Sequence, residues 1–433
     1  MKKRFVYGGR VVLSVFFVFM LLHYADRFII TPLVHVLMEE FGLSYTQMGL
    51  IGSGTIVIAA VLFPLWGFLF DRYSRAKLCA LASAVWGATT WLSALARNFI
   101  ELVFTRASTG VDNAATPGFY SLISDYYPPG RRGSAIGKVA AAIPLGTIIG
   151  TLIGAFIGIA YGWRIAFTLT AIPGFILAVI IWLFVKEVPR GRAEPEFARL
   201  ETITPYTINR KLAMQLLKRK SLLFLYIQGF FGVFPWQIVS FWIFAYIVKV
   251  RGLSENLATL AMVVWLLAMT FGYPAGGIFG DHFFRKTPRG RVLVSAVIVY
   301  LSAFFIFIAF SRPFHDVIGF MILGAVTAFI MPQAAANVVA TTQDITEPEG
   351  RSTALAILGV FENSGSALSP LIAGYIADLY GLHIACLSIS VVTWIICGVF
   401  FTILSLWIAK DIQHLRSLMT KRAEMEKKRA KAP

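Results

Sequence analysis

The amino-acid sequence predicts an all-α integral membrane protein, with twelve transmembrane helices in two pseudo-symmetric six-helix bundles. Three observations carry this. Of 433 residues, 58% are hydrophobic and 14% charged, where soluble chains run at roughly 45–50% apolar and about 25% charged. The apolar residues gather in runs long enough to cross a bilayer, which takes roughly 20 helical residues for about 30 Å of hydrocarbon. Finally, residues recur between the two halves of the chain at fixed offsets, as internal repeats do.

The runs lie near residues 11–34, 47–70, 78–96, 99–124, 134–160, 165–185, 221–248, 256–280, 291–311, 316–342, 352–377 and 384–409. Lipid offers no partner to a free backbone amide, so each must be a helix, and prolines such as Pro64, Pro144 and Pro370 are tolerated there. Span 1 follows Met1, Lys2, Lys3 and Arg4 and carries His23, Asp26 and Arg27. No small-residue cleavage site ends it, so it reads as a span and not as a signal peptide. Span 2 ends in Gly67, Asp71, Arg72 and Arg75. Span 3 is apolar with Cys79 within it. Span 4 carries Arg106, Asp112 and Asn113. Span 5 carries Gly146, Gly150, Gly154 and Gly158, a stripe of small residues that permits tight helix contact. Span 6 closes the first half, residues 1–187. A polar, basic connection, 188–220, follows, with a short helix expected around Arg210–Lys218. The second half, 221–409, opens with span 7, which offers Gln228, Trp236 and Gln237. Span 8 ends in Gly277, Asp281 and Arg285. Span 9 carries no intramembrane charge. Span 10 offers Gln333 and Asn337, and span 11 carries Glu362. Span 12 leads into a basic tail, 410–433, read as an amphipathic or disordered segment beside an anionic leaflet.

The formal net charge is +17. Of the 39 Lys and Arg, Arg27 and Arg106 lie within spans. Only Arg97, Arg164, Lys249, Arg251 and Arg312 fall on the side opposite the termini. That bias puts both termini in the cytoplasm of a cell-membrane protein. Nucleic-acid binding is excluded, since the basic residues are loop charges and form no reading helix. The three cysteines fall in apolar runs, and no metal or cofactor spacing is visible. No nucleophile or metal cluster and no phosphate-binding Gly-x-x-x-x-Gly-Lys loop marks an enzyme or ATPase.

The repeat has two parts. Gly67, Asp71 and Arg75 match Gly277, Asp281 and Arg285 at offset 210. Asp125, Pro129, Arg132, Ala135 and Gly146 match Asp344, Pro348, Arg351, Ala354 and Gly365 at offset 219. Asp71 can sit at a helix N-terminus or pair with an Arg, so Gly67, Asp71, Arg72, Arg75, Gly277, Asp281 and Arg285 read as gating loops that latch the two halves. Intramembrane charges are costly and mark sites. Asp26, Asp112 and Glu362 are candidate proton carriers, since burial and an approaching Arg move a carboxyl in opposite directions. His23, Arg27, Arg106, Asn113, Gln228, Trp236, Gln237, Gln333 and Asn337 are candidate substrate contacts. His23 and Arg27 share a helix face, Asp26 is expected to border the same cavity as Arg27, and Thr109 and Thr116 are expected beside Asp112. No catalytic or metal-binding residue is assigned.

The Gly-x-x-x-Asp-Arg-x-x-Arg loop, followed in the second half by a copy in which His282 replaces the first Arg, resembles the major facilitator superfamily in a six-plus-six protein. The resemblance covers essentially the whole chain. It implies a central cavity lined by spans 1, 4, 7 and 10, span 5 at the interface between halves, and alternating access by rocking of the halves. Within the superfamily, Asp26 with Arg27, Asp125 to Pro128, Ala142 to Gly146, and Ser369 with Pro370 resemble the Spinster-like lipid and sphingolipid transporters. Asp112 departs from that group, which carries a Glu there. An Asp-Arg pair in span 1 is also similar to organic-anion symporters. The expectation is therefore a monomeric secondary transporter, proton-coupled with sodium as the alternative ion, moving an organic anion or a lysolipid-like amphiphile. A small carboxylate or sugar-acid symporter and a non-transporting membrane sensor are the alternatives.

Overall fold

A computed structural model describes residues 2–43, 45–198, 200, 210–312 and 316–431, and its regular structure is entirely helical. The main helices are α1 (Lys2–Phe28), α2 (Tyr45–Arg72) and α3 (Arg75–Ala94). Then come α4 in three pieces (Phe99–Ser108, Gly110–Asn113, Thr116–Tyr126), α5 (Pro129–Tyr161) and α6 (Trp163–Phe184). The second half holds α7 (Lys220–Ser240), α8 (Glu255–Lys286), α9 (Gly290–Ser311), α10 (Val317–Asp344), α11 (Arg351–Tyr380) and α12 (Leu382–Lys431). The short helix expected in the connection is present at Arg210–Lys218.

Among the described residues ten of these helices are long and apolar enough to cross a membrane. The count of twelve rests on α3, which begins with Arg75 and Lys77, and on α4, which is interrupted around Asp112. Local chemistry sets the ends. Asn98 Oδ1 accepts the Glu101 amide at 2.9 Å to start α4, and Asp316 Oδ1 accepts the Gly319 amide at 2.9 Å to start α10, each satisfying an amide that the first turn leaves free.

The repeat runs deeper than the sequence motifs. Gly42 and Gly252, 210 residues apart, both turn with left-handed φ (63° and 68°), and Gly162 and Gly381, 219 apart, both do so at 99° and 87°. A side chain strains in that region, so glycine recurs there.

The buried apolar residues gather by half. One core runs from Leu216 to Ile412. Two others run from Val12 to Val185 and from Ile29 to Phe167, the former joined by Ala336, Ala340 and Ala356 from α10 and α11. The glycine stripe of α5 lies on α1, where a Cβ at Gly146, Gly150 or Gly154 would overlap the Leu21, Ala25 or Ile29 carbonyl oxygen. The tight contact expected of the stripe is therefore made within the first half. The half-to-half contact of α5 instead uses Gly133 and Gly137 against α8. By fixing α1 at Ala25, the stripe sets the height of His23, Asp26 and Arg27. The tail is not a loose segment: α12 continues through it, and Leu415, Met419 and Ala423 pack on Phe197 and Leu200 of the connection.

Candidate functional site

Adjacent residues on a helix point about 100° apart, and in α1 this separates two functions. Asp26 turns into the first half and is buried. Its Oδ2 accepts from Thr90 Oγ1 and its Oδ1 from Thr170 Oγ1, both at 2.8 Å, and Arg106 Nη1 stands 4.0 Å away. Asp26 therefore does not border the cavity with Arg27. Arg27 is half-buried and lies over the Tyr24 ring at 5.8 Å. Among the described residues it has no carboxylate partner.

His23 and Asp112 are paired: His23 Nε2 and Asp112 Oδ2 share a hydrogen bond of 2.6 Å, both residues being buried. The sequence reading put Thr109 and Thr116 beside Asp112. Thr109 Oγ1 instead donates to the Arg106 carbonyl (2.7 Å), with Thr55 Oγ1 on the same oxygen (2.8 Å), and Thr116 Oγ1 donates to the Asn113 carbonyl (2.9 Å). Ser and Thr in membrane helices readily back-bond to carbonyls one turn earlier. Arg106 lies over Phe167 at 5.1 Å. Its Nη1 and Asp112 Oδ1 are buried without a hydrogen-bond partner. Asn113 is half-buried beside this group.

The second half behaves differently. Gln228 Nε2 donates to Leu225 O at 2.9 Å, and Cys397 Sγ donates to its Oε1 at 3.4 Å. Gln237 Nε2 donates to Ser366 O at 3.1 Å. Gln333 Nε2 donates to Phe329 O at 3.2 Å, and Asn337 Nδ2 to Gly276 O at 3.0 Å and Gln333 O at 3.1 Å. Gln237 and Asn337 tie neighbouring helices of this half together, Gln228 does so through Cys397, and Gln333 bonds back within its own helix, because a buried amide is costly unless a carbonyl takes it. Trp236 does reach the seam, stacking on Tyr273 (centroids 6.4 Å apart) beside Ala140 and Ala141 of α5. Glu362 sits beside Gly229, within electrostatic reach of Tyr120 and Tyr273, and has no hydrogen-bond or ion-pair partner among the described residues.

The face bearing the termini is held by charges. The Asp71 carboxylate accepts the Ser352 and Thr353 amides at 3.0 and 2.7 Å, at the start of α11. Its repeat mate Asp281 accepts the Gly133 and Ser134 amides at 3.0 and 2.7 Å, near the start of α5. A helix N-terminus favours such an anion. Gly67 and Gly277 allow this approach: a Cβ on Gly67 would meet Ala356, and one on Gly277 would overlap the Gly133 carbonyl. Arg132 pairs with Asp344 (2.6 Å), and Arg351 with Asp125 (3.1 Å). Arg75 pairs with Asp125 and Glu187, and Arg291 with Asp344 and Asp281.

Two gating-loop residues are corrected. Arg72 is exposed over Phe68 (5.9 Å) and reaches no carboxylate among the described residues. Arg285 is exposed in the last turn of α8, its stem against Gly130. The partner of Arg75 in space is Arg291, since Arg75 opens α3 and Arg291 lies in the first turn of α9.

The sequence reading missed Glu194. Its Oε1 accepts from Arg132 (2.9 Å) and Arg351, and its Oε2 from Arg416 of the tail (2.8 Å). Burial alone would raise its carboxyl, but the guanidiniums of Arg351, Arg132 and Arg416 hold it well below the usual carboxylate range. Burial likewise raises and Arg75 more than offsets it at Glu187, whose carboxyl is lowered. Asp125, Asp344, Arg132 and Arg351 were visible as repeat members. Glu194, in an aperiodic connection, had no such signal.

Comparison with known proteins follows this geometry. The chain is 28% identical over 370 residues to the hexuronate transporter of Bacillus subtilis, covering 83% of this chain and 86% of that protein. It is 24% identical over 377 residues to the sphingosine-1-phosphate transporter of Danio rerio, covering 82% and 74%. Its fold matches the inward-facing crystal structure of a bacterial homologue of the lysosomal transporter Spinster, with TM-score 0.63, 21% identity, and 93% and 98% coverage. The family model described as Major Facilitator Superfamily matches residues 16–342, and the chain is therefore a multi-pass membrane transporter of the major facilitator superfamily, Spinster-like in its resemblances, and not an enzyme.

Proposed function

We propose that the protein is a proton-coupled secondary transporter of an organic anion, working as a monomer in the cell membrane with both termini cytoplasmic. The observation that carries this is Arg27: a half-buried cation within a span, over Tyr24, with no carboxylate among the described residues to neutralise it. Such a charge is costly unless a ligand completes it. Asp26, Asp112 and Glu362 are the proposed proton-coupling carboxylates. Arg106 and His23 already occupy the cation positions beside Asp26 and Asp112, which favours protons over sodium. Asn113 and Trp236 are retained as proposed contacts.

The relatives supply the two substrate arms. A sugar acid follows the hexuronate transporter, and a lysolipid-like amphiphile follows the sphingosine-1-phosphate transporter. The small-carboxylate arm is favoured by the single half-buried cation, Arg27, which matches one carboxylate. For the cycle, residues 1–187 and 221–409 are the proposed rocking bodies. Asp71 and Asp281 are the latches of the cytoplasmic face, which is closed here. Opening it requires Arg132 and Arg351 to leave their partners in the other half.

The test is calorimetry on purified protein with D-glucuronate and, separately, sphingosine-1-phosphate, with proton release recorded. Arg27→Gln should weaken the bound anion by about 1.5–3 kcal/mol, the usual weight of a charged hydrogen bond, which is more than tenfold. Asp112→Asn should abolish the proton movement. Unaltered affinity in Arg27→Gln would remove its role. Proton movement surviving in Asp112→Asn would remove that carrier.

A further inference from the structure

The polar group inside the first half contains four ionisable side chains, and their geometry divides the labour. Asp26 is fully partnered: each oxygen accepts one threonine hydroxyl at 2.8 Å, with Arg106 at 4.0 Å. A proton arriving there would weaken both bonds and leave Arg106 without its counter-charge. Asp112 is the opposite. Its Oδ2 shares one hydrogen with His23 Nε2 at 2.6 Å, and its Oδ1 is buried with no partner. The imidazole is fixed by rings rather than by a second charge: it stacks on Phe19 (5.5 Å, 10°) and meets Trp86 edge-on at 5.5 Å and Tyr24 at 5.9 Å.

Charge counting within this group then matters. Asp26 and Arg106 cancel. His23 and Asp112 also cancel, provided that together they hold one proton beyond neutral imidazole and carboxylate. That proton sits on Nε2 as an ion pair or on Oδ2 as a neutral pair, and both arrangements leave the group uncharged. Losing it leaves one uncompensated negative charge in the interior, which is costly. Two groups this close titrate as a pair.

We propose that His23 and Asp112 form one proton-binding dyad, which holds a single exchangeable proton in the closed site, while Asp26 serves there as the fixed counter-ion of Arg106. This rests on the transporter reading for its use, and it reassigns His23 from substrate contact to proton carriage and Asp26 from proton carriage to counter-ion. The other titratable groups facing the dyad are Asp26, Arg27 and Tyr24 on α1 and Arg106 on α4. Release of the proton follows separation of α1 from α4 at this level, which breaks the 2.6 Å bond and lets water reach Oδ1.

The test needs no substrate. The chain has six histidines, so nitrogen-15 histidine spectra in nanodiscs, with His23 assigned by its loss in His23→Gln, follow its protonation from pH 5 to 9. The expected result is a titrating His23 whose midpoint falls by at least one pH unit, a tenfold loss of proton affinity, in Asp112→Asn, and returns in Asp112→Glu. Asp26→Asn should move it less. A His23 signal that does not titrate overturns the dyad, as does an equal shift from Asp26→Asn. If Asp112→Asn does not fold, Asp112→Glu against wild type and Asp26→Asn still decides: loss of titration in Asp112→Glu counts against the dyad. A titrating dyad without proton-driven uptake of either D-glucuronate or sphingosine-1-phosphate would refute the transport reading instead.

Discussion

The two halves are alike at the face bearing the termini and unlike in their interiors. At that face Asp71 and Asp281, Arg75 and Arg291, Asp125 and Asp344, and Arg132 and Arg351 form matched pairs. In the interior, the offsets of the repeat set His23, Asp26, Arg106 and Asp112 against Val233, Trp236, Ala325 and Met331. Met331 lines an apolar cavity of about 420 Å³, its open mouth included, with Trp265, Phe310 and Phe320. Symmetry is kept where the two halves meet. It is lost where one half carries charge and the other supplies apolar wall.

The strongest way to break this comparison is to exchange the interiors. Met331→Asp places a carboxylate where the cavity lining presents apolar groups. The expected loss is at least about 3 kcal/mol, the scale of an uncompensated buried charge, read as a large fall in thermal unfolding temperature in detergent. Asp112→Met removes a charge whose partner His23 can become neutral, and should cost clearly less. Equal losses would mean that the halves tolerate charge alike.

The two proposed latches are matched only in outline, and this sharpens the comparison. Asp281 also takes Ser134 Oγ at 2.6 Å and Arg291 at 2.5 Å, whereas Asp71 takes two amides. Asp281→Asn should therefore open the face more than Asp71→Asn. With about 1.5–3 kcal/mol for a charge-assisted bond, labelling of a cysteine placed in the closed seam should rise roughly tenfold or more for Asp281→Asn and by a smaller factor for Asp71→Asn. Unchanged labelling in both would end the latch reading.

These latches were legible in the sequence because a glycine and an aspartate at fixed spacing recur after two spans. The fold class and the approximate spans were legible from apolar run length. What failed is instructive. Arg285 matches Arg75 in the alignment but not in space, because the α8–α9 turn holds extra residues that bring Arg291 to the equivalent place. Gln228, Gln333 and Asn337 are on the expected helices, yet rotation about a helix axis is fixed by packing. Gly276 and Gly280 draw α10 onto α8, and Asn337 finds a carbonyl there. Asp26 and Arg27 share a motif but face apart, since α1 is seated by the α5 glycines. His23 was visible only as a lone residue; its partner is 89 positions away.

The smallest expected effect concerns the place where the two halves and the tail converge. Glu194 joins Arg132 of one half to Arg351 of the other, and Arg416 adds the tail. Arg416 also contacts Glu196 at 3.1 Å, and Arg422 reaches Glu347 and Glu349. Arg416 is partly exposed, so Arg416→Gln should raise seam labelling only slightly, by about twofold to fivefold, the scale of a surface-adjacent pair. Glu194→Gln should exceed it, because two buried guanidiniums then lose a shared anion. The sign with pH follows from the lowered Glu194 carboxyl. Its contribution is complete above the ordinary glutamate value of about 4.3 and is lost only as pH falls below that, toward its own lower value. Seam labelling that is flat from pH 5 to 8 in wild type, rising only on stronger acidification, and insensitive to acid in Glu194→Gln, is the expected pattern. A rise already at pH 6 that persists in Glu194→Gln would assign the face's acid response to another group.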